Sequence, residues 1–251
     1  MPTTTLAAKF DFRGRRVLIT GAAGGLGSAF AHTFSRAGAT VLLADKDIAG
    51  LERLRAAIGE RAVSLVYDQS DLQSLRALAQ DAGHVDVLLN NAGLLLVKPI
   101  AENTPEEMRD IVLVDLVGPM VLTNLIGPGM AARRDGVILN VSSQLAFCGA
   151  EGRAAYAAAK AGLAQFTRSA AVEFGRHGVR VLAVAPGRLL TSMTTYLSGD
   201  DAAYKAGIAR VPIGRYGTPE EIADLVLFLA SPAASYIVGE TVIADGGYVL
   251  G

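Results

Sequence analysis

Short uninterrupted apolar runs alternate along the chain with longer stretches in which apolar residues recur every three to four positions. The short runs predict strands: "RVLIT" (16–20), "TVLLAD" (40–45), "AVSLVYD" (62–68), "VDVLLNNAG" (85–93), "GVILNVSS" (136–143), "VRVLAVAPG" (179–187) and "TVIADGG" (241–247). Between them the helical period predicts helices. One runs from the glycine turn at 21–27 to about Ala37, and "IAGLERLRAAIG" places Leu51, Leu54 and Ile58 on one face. "DLQSLRALAQDAG" starts at the N-cap Asp71, and further helices cover 104–132, about 152–175 and 218–231. Thr104 and Thr218 each open a Thr-Pro-Glu-Glu start, in which the threonine caps and the proline fits the first turn. Strands that are apolar throughout demand burial on both faces. Their alternation with helices implies right-handed βαβ units and a doubly wound parallel sheet of about seven strands with helices on both faces. Residues 1–13 read as an N-terminal extension and 188–207 as irregular, with 188–215 a mobile substrate lid. No linker divides 1–251, so one α/β domain is expected.

Composition narrows the picture. The 251 residues are 51% hydrophobic and 19% charged, with a formal net charge of −1, so no nucleic-acid or membrane partner is expected. Cys148 is the single cysteine, and His32, His84 and His177 lie far apart in sequence, so neither an internal disulfide nor a metal site is expected. The opening "MPTTTLAAKFDFRGRR" has no signal-peptide pattern, and no apolar run reads as long enough to span a bilayer. These features predict a soluble cytoplasmic protein.

"TGAAGGLG" follows the first strand and opens a helix. Glycines there bring the backbone close to a phosphate, and the helix N-terminus offers amides and a positive dipole end. The spacing differs from G-x-G-x-x-G, and a tight turn is the plainer alternative. Asp45, ending the second strand 18 residues past Gly27, strengthens the phosphate reading. A carboxylate there accepts hydrogen bonds from an adenosine ribose and repels a 2′-phosphate. Gly21, Ala23, Gly25, Leu26, Gly27 and Asp45 are therefore candidate dinucleotide contacts, with NAD favoured over NADP. The alternative for Asp45 is a helix cap, a role that Asp47 fits equally well.

"AAYAAAKAGL" (154–163) poses a sharper question, because it places a phenol and an ammonium group on one face of an alanine-rich helix. Tyrosine alone is a poor base at neutral pH, and a neighbouring cation favours its anionic form. Tyr156 and Lys160 can therefore exchange a proton with a substrate oxygen held by Ser142 or Ser143. The plainer alternative is a packed tyrosine with a snorkelling lysine.

In this order, the motifs resemble the short-chain dehydrogenases/reductases, in their compact single-domain subtype, from about Gly14 to Gly247. The resemblance implies a Rossmann-like fold. It assigns "TGAAGGLG" to the cofactor turn, "LLAD" to the NAD-selecting acid, and "YDQSD", with Asp68 and Gln69, to the adenine. "NNAG", with Asn91, Ala92 and Gly93, is implied to meet the cofactor ribose, and Pro186, Gly187, Leu189 and Thr191 of "APGRLLT" the nicotinamide. "GRYGTPEEIADLVLFLAS" and "GETVIADGG" are similar to the family's terminal helix and strand. "NVSS" and "YAAAK" imply that Ser143 holds the substrate oxygen, Tyr156 is the acid/base, and Lys160 orients the cofactor ribose and assists Tyr156; Ser142 turns away or packs. The alanines then permit close packing in a homotetramer. One departure falls in "VDLVGP", where Asp115 stands in place of the family's asparagine, which helps hold a proton-relay water. Asp115 is either neutral drift or a modification of that relay. Ala185 also replaces a common asparagine, with no function read into it.

The implied reaction moves a hydride between NAD and a small-molecule secondary alcohol, polyol or sugar, or its ketone. Candidate pocket residues are Leu94, Leu145, Phe147, Arg153, Arg188, Met193 and Tyr196, beside Ser143 and Tyr156. Arg153 or Arg188 could meet a polar or anionic substrate group, with surface solvation the plainer role. The rival readings are a catalytically weakened dinucleotide-binding regulator or scaffold, kept open by Asp115, and a purely structural oligomer subunit, which would not need Asp45 or the glycine turn.

Overall fold

The computed structural model describes residues 5–190 and 201–251, the stretch 201–203 by backbone alone. The seven strands are β1 (Arg16–Thr20), β2 (Thr40–Asp45), β3 (Ala62–Val66), β4 (Val87–Asn90), β5 (Gly136–Val141), β6 (Val179–Pro186) and β7 (Thr241–Ala244). They form one sheet in the order β3-β2-β1-β4-β5-β6-β7, and every neighbouring pair is parallel. The helices are α1 (Gly25–Arg36), α2 (Ile48–Ile58), α3 (Leu72–Ala82), α4 (Pro105–Val112), α5 (Gly118–Arg133), α6 (Ala154–Gly175), α7 (Asp201–Ile208) and α8 (Pro219–Ala230).

Strand alternation divides the core between the two faces. Val17, Ile19, Leu43 and Leu89 pack with Phe30 and Phe34 of α1, Leu51 of α2, and Ile222 and Val226 of α8. Leu18, Leu42, Leu88 and Ile138 pack with Leu75 of α3, Leu122 and Met130 of α5, and Ala170 and Ala171 of α6. Burial of each such large side chain contributes about 1.5–3 kcal/mol. Inside the sheet the Asn90 amide donates to Asn140 at 2.8 Å, and Asn140 to Thr167 at 2.9 Å, while Asn90 Oδ1 has no hydrogen-bond partner. Both threonine starts close as capping boxes, with Glu107 and Glu221 reaching back to Thr104 and Thr218.

Three expectations need correction. Burial on both faces holds for the inner strands but not at the edges, where Val63 and Val66 of β3 and Ile243 of β7 are exposed. The stretch 188–207 is not irregular throughout, because α7 begins at Asp201. The predicted 104–132 helix is present and runs on through a π turn at Leu113–Val117 between α4 and α5, where Asp115 is buried. The combined Pro105–Arg133 segment is also long and apolar enough, by length and composition, to cross a membrane. Here Ile111, Leu122, Ile126 and Met130 of that segment are buried inside the protein.

Candidate active site

The strand order reverses direction between β1 and β4, and a cleft of about 1100 Å³ opens beyond the carboxyl ends of the strands there. One end is built by β1, α1 and β2. Gly24 caps α1 without a side chain, so the amides of the first turn face the cleft uncapped. Gly21 has φ +63°, and a Cβ there would lie 2.8 Å from the Ala92 Cα; a Cβ on Gly27 would collide with the Gly21 carbonyl oxygen. The turn therefore excludes side chains at these two points. Asp45, half-buried at the end of β2, accepts from the backbone N–H of Ala23 at 3.0 Å and of Asp47 at 3.1 Å. Capping of α2 falls to Asp47, which accepts from the Gly50 N–H at 2.9 Å. Asn91 clasps the turn, donating to the carbonyls of Thr20 (2.8 Å) and Gly21 (3.1 Å). The Ser70 hydroxyl and N–H hold the Asp68 carboxyl below its ordinary value. A bare, uncapped helix start facing a carboxylate at the next strand's end fits a dinucleotide.

The other end is built by β5, α6 and the π turn. Ser143 follows β5 with extended backbone, and its Oγ accepts from the Leu145 N–H at 3.2 Å. Tyr156 lies half-buried in the cleft wall. The Lys160 ammonium sits 5.6 Å from the Tyr156 ring centre and donates to the Val141 carbonyl at 2.9 Å. The Ser142 hydroxyl donates to the Lys160 carbonyl at 2.9 Å, so Ser142 lines the cleft beside Ser143 but spends its hydroxyl on anchoring α6. Gly162 lets α6 close on the π turn, since a Cβ there would lie 3.0 Å from a Leu116 methyl. That approach brings Asp115, with no solvent exposure, to 3.6 Å from the Lys160 Nζ, an ion-pair rather than hydrogen-bond distance. Asp115 Oδ1 accepts from the Leu94 N–H at 2.6 Å, while Oδ2 has no hydrogen-bond partner. Burial raises the Asp115 carboxyl above its ordinary value, with Lys160 and the Leu94 N–H opposing.

The cleft gathers most of the predicted site: Gly21, Gly25, Leu26, Gly27, Asp45, Asp68, Asn91, Ala92, Gly93, Ser143, Leu145, Arg153, Tyr156, Lys160, Pro186, Gly187, Arg188 and Leu189 all line it. Ala23 does not; it sits behind the turn, tied to Asp45. Phe147 does not line it and is 40% exposed. Gln69 lines the cleft, but its amide is occupied, accepting from the Tyr67 hydroxyl at 2.7 Å and donating to the Val114 carbonyl at 3.2 Å. Thr191, Met193 and Tyr196 lie outside the described residues. Sequence reasoning missed Lys46, Gln144, Tyr216 and Tyr248, which also line the cleft. Lys46 and Gln144 adjoin Asp45 and Ser143 and could have been found from them; the two tyrosines arrive only through tertiary folding.

A family model described as "Enoyl-(Acyl carrier protein) reductase" matches residues 21–249. The 3-oxoacyl-[acyl-carrier-protein] reductase FabG of Vibrio harveyi is 37% identical over 94% of this chain and 98% of its own. A solved short chain dehydrogenase/reductase family protein, 36% identical, superposes with a TM-score of 0.89 over 95% of this chain and 99% of its own. The chain belongs to the short-chain dehydrogenases/reductases. Other relatives in this family show the range of its chemistry. Cis-4-hydroxycyclohexanecarboxylate dehydrogenase of Sinomonas cyclohexanicum is 41% identical over 94% of this chain and 97% of its own. The structure of a putative NAD(P)-dependent gluconate 5-dehydrogenase from Beutenbergia cavernae, with NADP bound at low occupancy, is 37% identical with a TM-score of 0.92, covering 97% of this chain and 100% of that one. As a short-chain dehydrogenase/reductase, the protein is a nicotinamide-dependent oxidoreductase acting on CH–OH groups.

Proposed function

We propose that the protein oxidises a secondary alcohol, polyol or sugar, or reduces the corresponding ketone, with NAD as its cofactor. The observation that carries this reading is the meeting of Tyr156, Lys160 and Ser143 in one cleft with the uncapped start of α1 and Asp45. Bound NAD supplies the hydride acceptor. The α1 amides hold its phosphates, Asp45 takes the adenosine ribose hydroxyls, and Lys160 takes the nicotinamide ribose. Ser143 fixes the substrate oxygen. In oxidation Tyr156 accepts the proton of the substrate hydroxyl as the carbonyl forms; in reduction it returns one. NAD preference rests on Asp45, whose charge opposes a 2′-phosphate, whereas Lys46 beside it would attract one. The alanine-rich face of α6 supports a homotetramer, and the absence of cysteine pairs is compatible with the cytoplasm.

The test is NAD reduction across polyols, sugars, hydroxy acids and secondary alcohols. Turnover of at least one class is expected, with NAD outperforming NADP. Tight cofactor binding without turnover of any class would favour the regulator reading, in which the Asp115–Lys160 pair has weakened catalysis.

A further inference from the structure

Asp45, Lys46 and Asp68 bring charge to the cleft at the β2 and β3 end. Arg109 is paired with Asp110, at 2.8 and 3.0 Å. At the end that holds Ser143 and Tyr156, the cleft-lining charges beyond Lys160, which is paired with the buried Asp115, are Arg153 and Arg188. Among the described residues neither arginine has a carboxylate partner. Arg153 donates to the Glu151 carbonyl at 3.0 Å, and Arg188 to the Tyr216 hydroxyl at 3.3 Å.

Of the two, Arg188 is the better anchored. Its carbonyl accepts from the Gly217 N–H at 3.0 Å, and the next two residues continue the pairing, Leu189 bridging to Gly217 and Leu190 donating to the Gly217 carbonyl. Its guanidinium lies 5.9 Å from the centre of the Tyr216 ring, and Tyr216 is buried. Gly207 of α7 leaves room for this arrangement, because a Cβ there would meet the Tyr216 hydroxyl and lie 3.0 Å from an Arg188 nitrogen. An arginine fixed at its backbone and stem, with no acid to neutralise it, presents a planar fork suited to a carboxylate. Gln144 lies on the same wall. It is 4% exposed, its Oε1 has no hydrogen-bond partner, and that oxygen sits 3.0 Å from the point where a side chain on Gly187 would begin. Apolar Leu94, Leu95 and Val97 also line the cleft.

We propose that Arg188 binds a carboxylate on the substrate, so that the alcohol oxidised here is a hydroxy acid. Gln144 Oε1, an acceptor, is suited to a second hydroxyl of such a substrate rather than to its carboxylate, and Leu94, Leu95 and Val97 cover the carbon skeleton. This rests on the oxidoreductase reading of the same cleft, but the subsite can be read without turnover. The probes are cyclohexanecarboxylate, its neutral carboxamide and cyclohexyl phosphate, titrated calorimetrically into the NADH-saturated protein.

The wild type is expected to prefer the carboxylate over the carboxamide by about tenfold or more, the scale of one charge-assisted hydrogen bond. Arg188→Gln abolishes that ratio, and Arg188→Lys, which keeps the charge but loses the fork, reduces it. No preference in the wild type would overturn the proposal, as would a ratio that survives Arg188→Gln. Tighter binding of the phosphate would overturn the carboxylate assignment. A carboxylate preference in a protein that turns over no alcohol would sink the catalytic reading and leave the subsite standing. Turnover of alcohols without that preference would do the reverse.

Discussion

Replacing Asp115 with asparagine tests the electrostatics at the heart of the cleft. The perturbation removes one buried negative charge and nearly preserves shape. Lys160 lies 5.6 Å from the Tyr156 ring centre, and at an effective dielectric of about 20 it favours negative charge on that ring by about 3 kcal/mol. Asp115 Oδ2 is 3.6 Å from the same ammonium, so together the two separations place the carboxylate within about 9 Å of the ring centre. At that distance it opposes the same charge by about 2 kcal/mol, before water in the open cleft screens it. The wild type should therefore oxidise alcohols best at alkaline pH, and Asp115→Asn should move the rising limb of kcat/KM to lower pH, with little change in NAD affinity.

Stability provides a second readout with a definite sign. Burial raises the Asp115 carboxyl, so its contribution to stability is fully present below the ordinary carboxylate value and is lost as pH rises through the raised one. The Tm of Asp115→Asn relative to wild type should therefore climb from about pH 4 to pH 8. Superimposable rate profiles, together with a Tm difference independent of pH, would refute the reasoning and mark Asp115 as drift.

Asp45→Ala should lower kcat/KM with NAD and relax rejection of NADP; a wild type that already prefers NADP would contradict the role given to Asp45. Asp86 behaves oppositely to Asp115. Its burial raises the carboxyl, but bonds from the Arg16 N–H (2.8 Å) and His84 (2.9 Å), with Arg15 nearby, leave it lowered. Asp86→Asn should cost about 1–3 kcal/mol at neutral pH, a loss that shrinks as denaturation is repeated in acid, where the wild type forfeits the same stabilisation. Sedimentation at micromolar concentration should show a homotetramer assembled through α5 and α6, whose Leu125, Met120 and Val172 are exposed in the single chain, and a monomer would exclude it.

Much of this architecture was legible because central parallel strands must be apolar on both faces, which marks Val17–Ile19 and Val181–Val184 without ambiguity. Which strands lie at the edge is a property of topology, so the exposure of Val66 and Ile243 had no sequence signal. Tyr156 and Lys160 were legible because helical spacing alone places them on one face. The position of Asp115 was marked, but its geometry was not. A π turn adds one residue to a helical circuit without requiring any residue type, and only that winding, with Gly162 packed against Leu116, carries the carboxylate to Lys160. Tyr216 and Tyr248 reach the cleft from beyond α7, through contacts that no local pattern encodes.

The central claim is that Tyr156 moves the proton. Tyr156→Phe removes the hydroxyl and keeps the ring, so turnover and NADH binding should separate. The decisive measurement is kcat of this variant on the wild type's best alcohol, with NADH affinity measured on the same preparation by fluorescence titration. The account predicts turnover lost by a factor of at least about 10², the lower end for a removed acid/base group, with NADH affinity nearly intact. Near-normal turnover by the variant would contradict it.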